Sequence, residues 1–139
     1  MVTYLDSSVL VRKLLNEPGT QFSPPSENTA LYTHEVAEVE IFRALERLSL
    51  SGALGAESYA RKRGEAMKLL RAVSLVRNRS EITRHASANF GIPVRALDAI
   101  HIGCAEWLTS QTSEPLVFWT HDARQAQAAQ SRGLEIQGV

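Results

Sequence analysis

Only three aspartates occur in this chain, Asp6, Asp98 and Asp122, and none stands where a solvated surface acid is expected. Asp6 closes an apolar, β-prone run, Val2 to Leu5, and is followed at once by Ser7, Ser8 and a helical pattern. Asp122 comes two residues after Leu116-Val117-Phe118-Trp119-Thr120, the strongest strand signal in the sequence, and opens another helical segment. A strand that ends in a carboxylate and turns into a helix presents that group at the carboxyl edge of an open α/β sheet. Asp6 and Asp122 are therefore expected at one edge. Asp98 falls in the first turn of the most apolar helical run, among Leu97, Ala99 and Ile100. An unpaired charge there is costly, so it calls for a partner or a cation.

Taken singly, each aspartate has an ordinary explanation. Asp6 and Asp122 can cap helices, and Asp98 can be a first-turn acid favoured by the helix dipole. Taken together they suggest a shared acidic site. Hard oxygen donors without His or Cys company select Mg²⁺ or Mn²⁺ over zinc. Such ions suit phosphodiester hydrolysis, because they activate water, neutralise phosphate charge and stabilise a leaving oxygen. A fourth acid on the helix that spans Glu35 to Leu50 is not singled out by periodicity, since Glu35, Glu38, Glu40 and Glu46 all read as solvated positions.

The elements that must position these acids alternate. Ser7 or Ser8 is expected to cap a helix carrying Val9, Leu10, Leu14 and Leu15, stopped at Asn16-Glu17-Pro18-Gly19. A polar loop with Pro24-Pro25 leads to a short strand around Ala30-Leu31-Tyr32. Thr33 is then expected to cap the helix Glu35 to Leu50, whose stripe is Val36, Val39, Phe42, Leu45 and Leu48. A third helix, Ala56 to Val73, buries Tyr59, Met67, Leu69 and Leu70. After a short apolar piece to Val76, Ser80 caps a helix that runs to Gly91. Pro93 opens the apolar helix Val94 to Leu108, and the helix Ala123 to Arg132 and the strand Leu134-Glu135-Ile136 complete the chain. Strands alternating with helices predict an α/β fold, a central parallel sheet covered on both faces.

At 139 residues the chain reads as one domain, 1–139, able to bury a core without staples. The single cysteine, Cys104, excludes a disulfide framework and a cysteine-rich zinc site and suits a reducing, cytoplasmic setting. It reads as a small buried hydrophobe. No basic leader precedes the first apolar run, and no stretch approaches the roughly 20 apolar residues of a membrane span. The formal net charge is zero, so a polyanion has to be held by a local patch or through metal ions. One such patch is the segment from Arg61 to Arg84, with Arg61, Lys62, Arg63, Lys68, Arg71, Arg77, Arg79 and Arg84 against Glu65 and Glu81. A solvated basic helix face explains it equally well.

Tyr-Leu-Asp6-Ser-Ser, Glu40-Ile-Phe-Arg-Ala-Leu, Ala-Leu-Asp98-Ala-Ile-His and Phe-Trp-Thr120-His-Asp122 resemble, in order and spacing, the four acidic motifs of PIN-domain ribonucleases. The nearest likeness is to the VapC-type toxins of bacterial toxin–antitoxin pairs, and it spans residues 2 to about 137. The resemblance picks out Glu40 as the helix-borne acid. It implies that Asp6, Glu40, Asp98 and Asp122 are the catalytic residues and hold Mg²⁺ or Mn²⁺. A metal-activated water would then cut an RNA phosphodiester, leaving a 5′-phosphate and a 3′-hydroxyl. Ser8 and Thr120 would support the acids through hydroxyl hydrogen bonds. The resemblance also implies a homodimer and an antitoxin partner whose segment covers the site. His101 is read as packing, and His121 as an exposed turn residue or an RNA contact.

Two other PIN readings are a silent binding module and a housekeeping RNA-processing nuclease. Four intact acids argue against the first, since a scaffold has no reason to keep clustered charge. A haloacid-dehalogenase-type phosphatase needs a second acid where Ser8 stands. A response-regulator receiver needs an acidic pair near the first strand and a late Lys, and a Walker-type phosphate loop is absent.

Overall fold

The computed structural model describes residues 1–19 and 22–139. Residues 20 and 21 of the expected polar loop lie outside the described residues. The elements run β1 (Val2–Leu5), α1 (Ser7–Leu15), β2 (Ala30–His34), α2 (Val36–Leu50), α3 (Ala56–Arg71) and β3 (Ser74–Val76). They continue with α4 (Ser80–Ser87), α5 (Ala96–Gln111), β4 (Leu116–Trp119), α6 (Ala123–Ser131) and β5 (Glu135–Gln137).

The strands form one sheet in the order β3-β2-β1-β4-β5, and every pairing is parallel. β1 lies at the centre, with Val2 beside Ala30 on one flank and beside Leu116 on the other. Central parallel strands are covered on both faces and so read as continuous apolar runs. This accounts for Val-Thr-Tyr-Leu in β1 and Leu-Val-Phe-Trp in β4, both buried throughout. The edge strands β3 and β5 are three residues each and largely exposed, which limits what an edge offers to a second chain.

Alternate strand residues feed two cores, as the two-residue period requires. Tyr4 and Phe118 stack at 5.3 Å with their rings 5° apart and join Ile82, Ile102, Leu108 and Ala128, from α4, α5 and α6. On the other face Leu5, Val117 and Trp119 meet Leu10, Leu14, Ile41, Leu45 and Leu70, from α1, α2 and α3. The α4–α5 contact is close because Gly103 has no side chain. A Cβ there would sit 2.8 Å from the Ala86 nitrogen and 2.9 Å from the Ile82 oxygen. No described helix is long and apolar enough to cross a membrane.

The structure corrects several local expectations. Asp6, not Ser7 or Ser8, is the N-cap of α1, its carboxylate accepting from the Ser8 N–H. Thr33 is buried inside β2, because that strand is paired on both sides and runs on to His34. The Val36 N–H at the start of α2 is taken instead by His34 Nδ1 at 3.1 Å. The buried stripe of α2 is Ala37, Ile41 and Leu45, while Val39 is 59% exposed. The small Ala37 lets that face approach the sheet, which a search for large residues overlooks. In α3 the buried positions are Ala66 and Leu70, and Met67 faces outward. α4 ends at Ser87 rather than Gly91, where Ala88 turns extended, and α5 starts at Ala96 rather than Val94.

Candidate active site

In the strand order 3-2-1-4-5 the direction of winding reverses between β1 and β4, and the crevice beyond their carboxyl ends is where open α/β sheets place function. Asp6 emerges there from β1. Its N–H still continues the ladder to the Trp119 carbonyl at 2.9 Å, and its side chain is buried. Oδ2 accepts from the Ser8 N–H at 2.9 Å and Oδ1 from Gln125 Nε2 at 2.9 Å.

Gln125 is itself held. Thr120 Oγ1 donates to Gln125 Oε1 at 2.6 Å and accepts the Asp122 N–H at 3.0 Å. The Thr120 hydroxyl lies 3.5 Å from Ser8 Oγ, which accepts the His121 N–H at 3.1 Å. Ser8 and Thr120 therefore tie the loop after β4 to the start of α1, and Thr120 reaches Asp6 through the Gln125 amide. Gln125 is a site residue that the sequence reading missed. Its position in the first turn of α6, beside a capping aspartate, was the available signal.

Glu40 projects from α2 to the same place. Its Oε2 accepts from Ser7 Oγ at 2.9 Å and its Oε1 lies 2.6 Å from His101 Nε2. His101 Nε2 is also 3.6 Å from Asp6 Oδ1. A carboxylate offers only acceptors, so Nε2 carries hydrogen whether the ring is neutral or charged. On its other side His101 Nδ1 is 2.7 Å from the Tyr4 hydroxyl, which accepts the His34 N–H at 3.0 Å. His101 and Tyr4 are fully buried. His101 is thus no mere packing residue but the link between Glu40, Asp6 and the centre of the sheet. Burial opposes its proton, but the Asp6 charge, then the Glu40 hydrogen bond and charge, and Asp98 outweigh it and raise its pKa. Burial, with the Cys104 and Asp6 charges behind it, holds the Tyr4 hydroxyl well above its usual range.

Asp98, half-buried at the start of α5, makes no hydrogen bond or ion pair among the described residues. Burial, followed by the charges of Asp6 and Asp122, raises its pKa from the ordinary 3.8 to about 6, with Glu40 adding and His101 opposing. Asp122 caps α6 through Oδ1 alone, accepting the N–H groups of Arg124 at 2.8 Å and Gln125 at 3.1 Å. Asp98 and Asp122 line one cavity of about 190 Å³ together with Arg95, Arg124 and Gln125.

His121, between two motif residues, is neither an exposed turn residue nor open to a ligand through Nδ1. It is half-buried, edge-on to Trp119, with Nδ1 2.6 Å from the Gly138 carbonyl. Cys104 is buried, and that burial pushes its thiol up to about 12, which leaves it inert.

The donor set has the chemistry of a hard divalent cation: four acids at one end of the sheet, two of them on one cavity. As they stand, no group of three or more His, Cys, Asp or Glu among the described residues is arranged to hold a metal ion. The arrangement fits a hydrated ion rather than an all-protein cage, as Mg²⁺ keeps several waters and takes one or two carboxylates.

The family model for the PIN domain matches residues 3–131, and the chain belongs to that family. Among solved structures it is similar to a chain of VapBC-1 from nontypeable Haemophilus influenzae, with a TM-score of 0.62 and 18% sequence identity over 99% of this chain and 98% of the other. At that identity the likeness is one of fold. No curated protein matches the chain.

Proposed function

We propose that this protein is a metal-dependent endoribonuclease and the toxin of a VapC-type toxin–antitoxin pair, with Asp6, Glu40, Asp98 and Asp122 as its catalytic, metal-holding acids. One observation carries the reading: four acids from four separate elements meet at the carboxyl edge of a PIN-family sheet, and Asp98 among them has no partner of its own. The fold shared with a VapBC-1 chain over nearly the whole length supports the toxin assignment. With it come an antitoxin as partner and a homodimer as the assembly.

Asp98 and Asp122, which share the cavity, would supply direct oxygens to Mg²⁺ or Mn²⁺. Asp6 and Glu40, whose oxygens each accept one hydrogen bond and keep a lone pair, would add to the hold on the cation, directly or through water. Bound there, the cation supplies an activated water at neutral pH and charge neutralisation at the phosphate. The chain's own part is to fix the acids. Ser7 and His101 hold the two oxygens of Glu40, and Ser8 and Gln125 hold those of Asp6. Thr120 orients Gln125.

The test is cleavage of RNA by purified protein with Mg²⁺ or Mn²⁺, followed by mapping of the ends. Cutting is expected to stop on chelation, to leave 5′-phosphates, and to fall at least about 100-fold in Asp98→Asn. An Asp98→Asn protein with full metal-dependent activity would refute the assignment.

A further inference from the structure

Two cavities meet at the start of α5, and Arg95 and Asp98 line both. The smaller continues past Asp122 to Arg124. The larger, about 530 Å³, runs along α2 past Glu40, Arg43 and Arg47. Glu40, Arg43 and Arg47 are at i, i+3 and i+7, one face of the helix, so Arg47 lies about 10 Å along the axis from Glu40. Carboxylates therefore occupy the middle of a continuous track with Arg95 beside them, and further arginines lie on its flanks.

Three of those four arginines are free to bind. Arg47, Arg95 and Arg124 are exposed, and none has a side-chain hydrogen bond or ion pair among the described residues. Arg43 is paired with Glu46. Half of the basic segment that stands out in the sequence is committed, while Lys68, Arg71, Arg77 and Arg84 are exposed but line neither cavity. Lys62 donates to the Leu14 carbonyl at 2.7 Å and to Glu65 at 2.8 Å, and Arg61 is 3.8 Å from Glu65. Arg63 lies over Phe42 at 4.6 Å and Arg79 over Trp107 at 4.2 Å.

We infer that a single RNA strand crosses the carboxylate cluster along this track, its phosphates held by Arg47 on one side, Arg124 on the other and Arg95 between them. This rests on the ribonuclease reading and adds the path of the substrate. A carboxylate cluster repels phosphate, and the chain has no net charge to offset that, so a polyanion needs an arginine beside the acids and others on both sides of them. A strand is favoured over an acidic protein segment because the track passes through the cluster and sets a backbone linkage between two grips. The basic segment from Arg61 to Arg84 lines neither cavity and so has no part in the grip.

The test measures binding of a fluorescein-labelled single-stranded RNA to the protein in chelator, by anisotropy over a range of salt. Arg47→Ala, Arg95→Ala and Arg124→Ala are each expected to weaken binding and to lower the slope of log affinity against log salt by about 0.7, one phosphate contact. Arg61→Ala and Arg84→Ala are expected to leave the slope unchanged. With Mg²⁺ the three track variants are expected to raise KM for RNA more than they lower kcat. Equal losses in all five variants, or wild-type slope and KM in the track variants, would overturn the path while leaving the ribonuclease reading intact. Variants that lose polyglutamate binding but keep RNA binding would give the track to an acidic protein segment instead. A wild-type protein that neither binds nor cuts RNA would remove the ribonuclease reading itself.

Discussion

His101 shows how much of this candidate site depends on one fully buried side chain. It bridges Glu40 and Tyr4 with contacts of 2.6 and 2.7 Å, its own ring fully buried. Removing the ring leaves a buried hydroxyl and a carboxylate short of a donor and opens a void. His101→Ala is expected to cost about 2–4 kcal/mol in urea unfolding. His101→Gln restores an N–H donor toward Glu40 and is expected to recover part of that stability. Because it does not also hold Tyr4 as the ring does, Mn²⁺ affinity, read by titration calorimetry, is expected to fall about 10-fold. Unchanged Mn²⁺ affinity in both variants would reduce His101 to a packing residue. Asp6 and Asp122 were legible in the sequence because strand-then-acid is a local pattern. Glu40 came only from family resemblance, since periodicity treats four glutamates alike. His101 reads from sequence as packing, and Gln125 is not singled out, because their partners Tyr4 and Asp6 lie 97 and 119 residues away.

Helix starts were the element-scale features read least well, and they bear directly on the site. α1 and α6 are both capped by site acids, Asp6 and Asp122, so the same carboxylates shape the backbone and face the crevice. The two roles of Asp122 separate by substitution. Asn caps as well as Asp, whereas Ala costs about 1 kcal/mol at such a position. Asp122→Asn is therefore expected to match the metal-free wild type in urea unfolding, and Asp122→Ala to lose about 1 kcal/mol. Both are expected to reduce metal-dependent cleavage. If Asp122→Asn cuts RNA as the wild type does, Asp122 is a cap alone. The start of α2 was misread for a related reason. β2 extends through Thr33 to His34, and the polarity of Thr33 says nothing about its pairing with Leu75 of β3.

At the scale of the molecule, alternating strands and helices foretold a parallel sheet with two covered faces. The order β3-β2-β1-β4-β5, which makes one crevice of four distant acids, depends on pairings that no local pattern encodes. Burying Asp98 beside those other acids has a thermodynamic consequence. Asp98 holds its proton to about pH 6 in the fold but only to about 3.8 in the unfolded chain. Between those values the folded state binds more protons, so stability falls as pH rises and stays lower above the window. His101, also raised, adds stability at acid pH that is lost as pH climbs through its folded pKa. His34, lowered chiefly by burial, acts in the opposite sense. The Asp98 contribution is isolated by comparing wild type with Asp98→Asn in chelator. The two are expected to melt alike near about pH 4, with the variant the more stable above about pH 6. Under the proposed metal assignment Mg²⁺ is expected to reverse the order, because it would bind the ionised acids. At a hundred times its dissociation constant it would add about 2.7 kcal/mol to the wild type, more at neutral than at acid pH, and far less to Asp98→Asn. Parallel melting profiles for the two proteins in chelator would mean that Asp98 does not share the field of the other acids.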